Sequence, residues 1–195
     1  MRSGRGNIGA MRQLLLLRHA KSSWDDQRLS DHARPLNPRG RRNAHAMGEA
    51  LRDLGLAPDV VLVSSARRTL QTLEAVQPAL EAGTLVEPMD SLYLAAWQTI
   101  LELVRRAPET ARSVMVVGHN PGLHEFALAL MGAAGQATRV GGGGEDARRL
   151  AEGYPTGALA EFTIASPWSL LEPGGGRLVR FLAPRDLPAA GEVPA

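Results

Sequence analysis

Three apolar runs in this sequence each end in residue types suited to phosphate chemistry. Leu14–Leu17 leads into Arg18 and His19, Val60–Val63 leads into Ser64 with Arg67 and Arg68 just beyond, and Val114–Val117 leads into Gly118 and His119. A neutral imidazole is a nucleophile, and the planar fork of an arginine matches the paired oxygens of a phosphoryl group. Two imidazoles and at least two guanidiniums meeting in one crevice would hold such a group and could accept it on nitrogen. Binding alone needs only the arginines, so the two histidines point toward transfer.

The surrounding pattern predicts how these residues are brought together. The three runs read as short strands buried on both faces. Between the first two lies a predicted helix, with Asn37 as N-cap, Pro38 at its first position, a stripe of Ala44, Met47, Leu51 and Leu54, and Gly55 as stop. Ser64 and Ser65 can cap a second helix with a Leu70, Leu73, Val76 and Leu80 face, kinked or ended by Pro78. A weak strand near Leu85 follows, then helices carrying Trp97, Ile100, Leu101 and Val104, and later Leu123, Phe126 and Leu130. Leu159–Ile164 and Leu178–Leu182 read as strands that close one edge of the sheet as a hairpin. This alternation predicts an α/β fold of three layers, a mostly parallel central sheet with helices on both faces. Ligands of such sheets bind beyond the carboxyl ends of the strands, where Arg18, His19, Ser64, Arg68 and His119 fall.

One domain is expected over 12–187, with 1–11 as a disordered extension and 188–195 as a tail; either Met1 or Met11 could be the start. Residues 132–153, with Gly141–Gly144 in a row, read as a mobile insertion loop. The chain has 195 residues, no cysteine and 22 basic against 20 acidic residues, a net charge of +2. Absence of cysteine excludes disulfides, thiolate metal sites and thiol nucleophiles, and it suits a reducing, cytoplasmic setting. The near-balanced charge gives no argument for nucleic acid or membrane, and no segment approaches the roughly 20 apolar residues of a membrane span. Lys21 is the only lysine among the basic residues, so arginines are read for function only inside a motif. His124-Glu125 lacks the second histidine of a zinc-protease helix, Asp25-Asp26 is not a spaced calcium loop, and Gly141–Gly144 is no dinucleotide fingerprint. Neither metal nor cofactor is expected.

Leu17-Arg18-His19-Ala20, Arg34-Pro35-Leu36 with Arg39-Gly40, Val63-Ser64 through Arg68 to Gln71-Thr72, and Gly118-His119-Asn120-Pro121-Gly122 together resemble the histidine phosphatase superfamily. Lys21-Ser22-Ser23-Trp24, Pro155-Thr156-Gly157-Ala158-Leu159 and Pro184-Arg185-Asp186-Leu187 look like its SixA-like phosphohistidine phosphatase branch. The resemblance covers about residues 12–187 and implies a phosphoglycerate-mutase-like fold and a metal-independent, two-step phosphatase. His19 would be the nucleophile; Arg18, Arg68 and His119 would hold the phosphoryl oxygens. The family's spacing from the strand-end serine selects Arg68 over Arg67. His19 would have to be neutral, with its other nitrogen donating to an acceptor such as a backbone carbonyl.

The sequence departs from the superfamily pattern at the proton donor, because Asp90-Ser91-Leu92-Tyr93-Leu94 holds no glutamate where many members have one. Phosphohistidine, whose leaving group departs readily once protonated, fits this lack better than an alkyl phosphate. Asp25, Asp26 and Asp31 are the candidate acids, since desolvation beside a phosphate would raise a carboxylate pKa. Arg34, in the Arg-Pro-Leu segment, is a candidate for substrate binding. His32, His45, Arg41, Arg42 and Arg67 read as solvated or structural; His124 could line the crevice but reads first as a cap or surface residue. The substrate is expected to be a phosphorylated protein or a phosphorylated small molecule. Alternatives are a broader phosphomonoesterase of the same superfamily and a non-catalytic phosphate-recognition module; a phosphoglycerate mutase is disfavoured by the short chain and missing acid.

Overall fold

The computed structural model describes residues 11–139 and 144–187. Six strands form one sheet in the order β3-β2-β4-β1-β5-β6. They are β1 (Arg12–Arg18), β2 (Val60–Ser64), β3 (Leu85–Met89), β4 (Ser113–Gly118), β5 (Leu159–Ile164) and β6 (Gly176–Leu182). The first four run parallel, while β5 and β6 are antiparallel at one edge, as the hairpin reading expects.

Alternation along the strands divides the core in two. Leu15, Leu17, Val61, Val63, Met115 and Val117 face α1 (Pro38–Asp53) and α2 (Arg67–Val76). Leu14, Leu16, Val60, Leu62, Val114 and Val116 face α3 (Trp97–Arg105), α4 (Gly122–Arg139) and α5 (Glu145–Glu152). Both faces of β1, β2 and β4 are therefore covered, which is why their sequences are continuous apolar runs rather than alternating ones. Truncating one of these buried leucines to alanine would cost about 2–5 kcal/mol.

Local signals set the helix ends. Asn37 caps α1, its side chain accepting from Gly40 N at 2.7 Å, with Pro38 at the first position. Gly40 has to be glycine, because a Cβ there would lie 2.1 Å from the Lys21 carbonyl oxygen. That close approach fastens α1 to the chain just after β1. Helix α2 stops at Val76, and Pro78 lies in a short 3-10 turn. The serine cap expected for α2 is corrected: the N-cap is Ala66, with no side-chain hydrogen bond.

The region 132–153 also differs from the expected loop. Helix α4 runs on to Arg139 past a bend at Gly132, where φ is 53° and a Cβ would sit 2.7 Å from Gly174 Cα. Helix α5 follows over Glu145–Glu152. It is held down by the buried Leu150 and by Asp146, whose carboxylate accepts from Phe181 N at 3.0 Å. The extension over 1–10, residues 140–143 and the tail 188–195 lie outside the described residues. Among the described residues no helix is long and apolar enough to cross a membrane.

Candidate active site

The carboxyl ends of β1, β2 and β4 converge on one point. His19 follows β1, Ser64 closes β2, Arg68 lies in the first turn of α2, and His119 follows β4. Backbone bonds fix their relation: His19 N donates to Gly118 O at 3.1 Å, and Gly157 N reaches the carbonyls of Arg18 and His19 at 3.1 and 3.0 Å. Thr72 ties α2 to the same loop, its hydroxyl accepting from Ala20 N at 3.0 Å and donating to Arg68 O at 2.6 Å.

The imidazoles of His19 and His119 lie with centroids 5.1 Å apart and are 8% and 2% exposed. Nδ1 of His19 is 2.8 Å from Ala20 O. A carbonyl only accepts, so this nitrogen carries the proton and Nε2 keeps its lone pair. Burial lowers the His19 pKa to about 4, opposed by the Ala20 hydrogen bond and reinforced by the charges of Arg68 and Arg18. Burial, with His19 and Arg68 nearby, lowers that of His119 to about 3. Both rings are neutral at physiological pH. Nδ1 of His119 accepts from Arg68 Nη2 at 3.3 Å, so its Nε2 donates to Ser64 Oγ at 2.7 Å.

Arg68 is 4% exposed, whereas Arg67 faces solvent. Its guanidinium donates to Asp31 twice, Nη1 to the backbone oxygen at 2.6 Å and Nη2 to Oδ2 at 2.9 Å. Asp31 Oδ2 also accepts from the Tyr93 hydroxyl at 2.7 Å. That hydrogen bond, ahead of the Arg68 contacts, lowers the Asp31 pKa. Asp31 thus stands at the site as a carboxylate, contrary to the expectation of an acid with a raised pKa. Desolvation, the reason for that expectation, does push the carboxyl upward, but the Tyr93 hydrogen bond together with Arg68 outweighs it.

The other candidates are placed as follows. Arg18 donates to Tyr154 O at 2.7 Å, and burial lowers its pKa. Arg34 lies with its guanidinium 3.5 Å over the Trp24 ring, and two of its nitrogens are buried with no partner. Asp25 and Asp26 are not gathered with the histidines: Asp25 accepts from Ser23 Oγ, and exposed Asp26 pairs with Arg28, whose hydrogen bonds lower its pKa. His45 is exposed as expected. His32 is half-buried in a structural role, its Nε2 bonding Ser65 Oγ at 3.0 Å and its ring meeting Tyr93 edge-on at 4.9 Å. His124 contacts Leu150 O at 2.7 Å and lines a neighbouring recess.

Comparison with known proteins gives this geometry a family. The sequence model of the histidine phosphatase superfamily, branch 1, matches residues 14–93. The uncharacterized protein Rv1276c of Mycobacterium tuberculosis is 37% identical over 169 residues, 87% of this chain and all of that protein. A structure from Nakamurella multipartitia, assigned as phosphohistidine phosphatase SixA, is 31% identical, covers 91% of this chain and 99% of its own, and superposes with a TM-score of 0.78. The chain belongs to the histidine phosphatase superfamily. A second SixA-assigned structure, from Agrobacterium tumefaciens, is 32% identical, covers 88% of this chain and 97% of its own, with a TM-score of 0.71. The superfamily's SixA-like members are therefore what this chain resembles along nearly its whole described length, and the fold is phosphoglycerate-mutase-like.

Sequence reasoning missed Tyr93, Ser64 as the partner of His119, and Tyr154. Tyr93 lies in the stretch searched for a glutamate, and its contact with Asp31 spans 62 positions. Its only legible signal was an aromatic residue with a hydroxyl in that stretch.

Proposed function

We propose that this chain is a phosphatase that removes the phosphoryl group of protein phosphohistidine, carrying it on His19 as a covalent intermediate. The observation that carries the reading is the His19–Ala20 hydrogen bond, which holds the proton on Nδ1 and leaves Nε2 as a buried lone pair beside Arg68 and His119. In the first step Nε2 attacks phosphorus, a P–Nε2 bond forms, and the bond to the leaving nitrogen breaks with its electron pair. The leaving imidazole takes a proton from water. In the second step water attacks phosphorus, the P–Nε2 electron pair returns to His19, and the water proton passes to solvent. Arg18, Arg68 and His119 hold the phosphoryl oxygens and offset charge developing in transfer. Arg68 exchanges the Asp31 carboxylate for the incoming phosphoryl group, which presents the same geometry of paired oxygens.

The ionised state of Asp31 favours phosphohistidine over alkyl phosphates, because no described carboxyl at the site is poised to protonate an alkoxide. The test is rapid quench with a radiolabelled phosphohistidine peptide and, separately, an aryl phosphate, in the presence of a chelator. Base-stable, acid-labile label on the wild type and none on His19→Ala is the expected result. Binding without label or turnover would replace this reading with a recognition module, and a faster aryl phosphate with the broader phosphomonoesterase.

A further inference from the structure

Beside the phosphoryl site, on the side of β5 and β6, a recess of about 750 Å³ opens beyond the strand ends. Its residues come from the end of β1 and the loop after it, the start of α1, the start of α4 and the turn before it, α5 and the segment leading to β5, and the end of β6 with the chain just after it. His19, Arg68 and His119 do not line it, but Arg18 does. Arg18 therefore borders both spaces. Its Nη1 is fixed on Tyr154 O, while its Nε is buried without a partner.

The recess is cationic on its outer wall. Lys21, Arg39 and Arg185 line it and are exposed. Among the described residues neither Lys21 nor Arg39 has an ion-pair partner, and Arg185 reaches Asp186 only at 3.8 Å with 76% of its side chain exposed. Arg149, also on the wall, is already paired with Asp146 and Asp186. Among the described residues that line the recess, Glu152 is the one acid. The inner wall is aromatic: Phe181 meets Tyr154 edge-on at 5.1 Å. Cations placed together without counter-charges repel one another, and an anion entering among them relieves that repulsion. Lys21 adds a compact ammonium, the only one in the chain, to guanidiniums suited to planar oxyanions.

We infer that this recess is a second-anion subsite, so that the preferred substrate carries a carboxylate or further phosphate beside its transferable phosphoryl group, held by Lys21, Arg39 and Arg185. The volume falls within the roughly 300–1,000 Å³ of ligand pockets, room for the frame of a small phosphorylated acid or for an acidic side chain flanking a phosphorylated residue. The inference rests on the phosphatase reading above.

The test measures kcat/KM for two pairs of substrates. One pair is phenyl phosphate and 4-carboxyphenyl phosphate; the other is a phosphohistidine peptide flanked by serines and the same peptide flanked by aspartates. The wild type prefers the acid-bearing member in at least one pair, and the pair in which it does so identifies the source as a small molecule or a peptide. Lys21→Gln with Arg39→Gln reduces that preference about three- to tenfold, the range expected for two partly exposed ion pairs. Arg185→Gln reduces it independently, while Arg52→Gln with Arg177→Gln, which removes the same charge at distant exposed positions, leaves it at the wild-type ratio. Equal kcat/KM within both pairs, or a preference that survives the Lys21 and Arg39 substitutions, would overturn the subsite and leave the phosphatase reading standing. No turnover of any of the four would overturn the phosphatase reading and the subsite with it.

Discussion

The parallel half of the sheet and its antiparallel flank treat charge in opposite ways. At the ends of β1, β2 and β4 the two histidines and Arg68 are buried and answered: His19 by Ala20 O, His119 by Ser64 and Arg68, Arg68 by Asp31. Beside β5 and β6, Lys21, Arg39 and Arg185 are exposed and mostly unanswered. Burial in the first region keeps two imidazoles neutral within reach of arginines, which reactivity at nitrogen requires. Exposure in the second preserves cations at little desolvation cost, and such charges select among ligands without reacting. Arginine thus stands in both regions, buried and paired in one and exposed in the other, and the two proposed roles, reaction and selection, divide along that difference in burial.

Substitutions at the buried end should have the larger effects. His19→Ala should abolish turnover and covalent labelling, since no other buried imidazole has its free nitrogen so placed; retention of most activity in a steady-state assay would break the assignment of reactivity to this region. Arg68→Ala should lose about 2–4 kcal/mol of transition-state stabilisation, read as a fall in kcat/KM. Acid should expose the cost of burial directly. Unfolded histidines take up a proton near their ordinary value of 6.5, whereas His19 and His119 do so only near 4 and 3. Between these values the unfolded chain binds more protons, so stability should fall as pH drops from about 6.5 toward 4, by up to about 3 kcal/mol from His19 alone. Urea unfolding at several pH values measures this, and histidine NMR should find both rings neutral at about pH 5.5. The smallest effect is expected for Tyr93→Phe, which removes the leading donor to Asp31. It should raise the Asp31 pKa in an NMR titration and change kcat/KM by about 0.5–1.5 kcal/mol. An unmoved Asp31 pKa would show that Arg68 alone fixes that carboxylate.

What was legible in the sequence follows the same division. Strands β1, β2 and β4 declare themselves because both faces are buried, and Asn37, Pro38 and Pro78 mark helix boundaries by local stereochemistry. Strand β3 was faint because Leu85 and Val86 are partly exposed at the sheet edge. Helix α5 was missed because Leu150 is its only fully buried residue amid a polar sequence. Residues at strand ends could be read as a set, but their protonation states could not. Asp31 is ionised because of Tyr93 and Arg68, 62 and 37 positions away, and no local pattern announces such partners. Ser64 could be read as a helix cap; only the approach of β4 gives it His119, 55 positions on.

Tyr154 joins the two regions. Its hydroxyl donates to Leu16 O inside β1 at 2.5 Å, while its own carbonyl accepts from Arg18 at 2.7 Å and from Asn120 at 3.0 Å. One residue is thus a wall of the recess and a fixed post for a guanidinium of the proposed phosphoryl site. Loop exchange between relatives, the usual route to altered substrate range, would therefore not be modular here. A grafted 153–157 segment lacking a tyrosine at this position would shift Arg18 as it reshaped the recess, so new selectivity would arrive coupled to a change in catalytic rate.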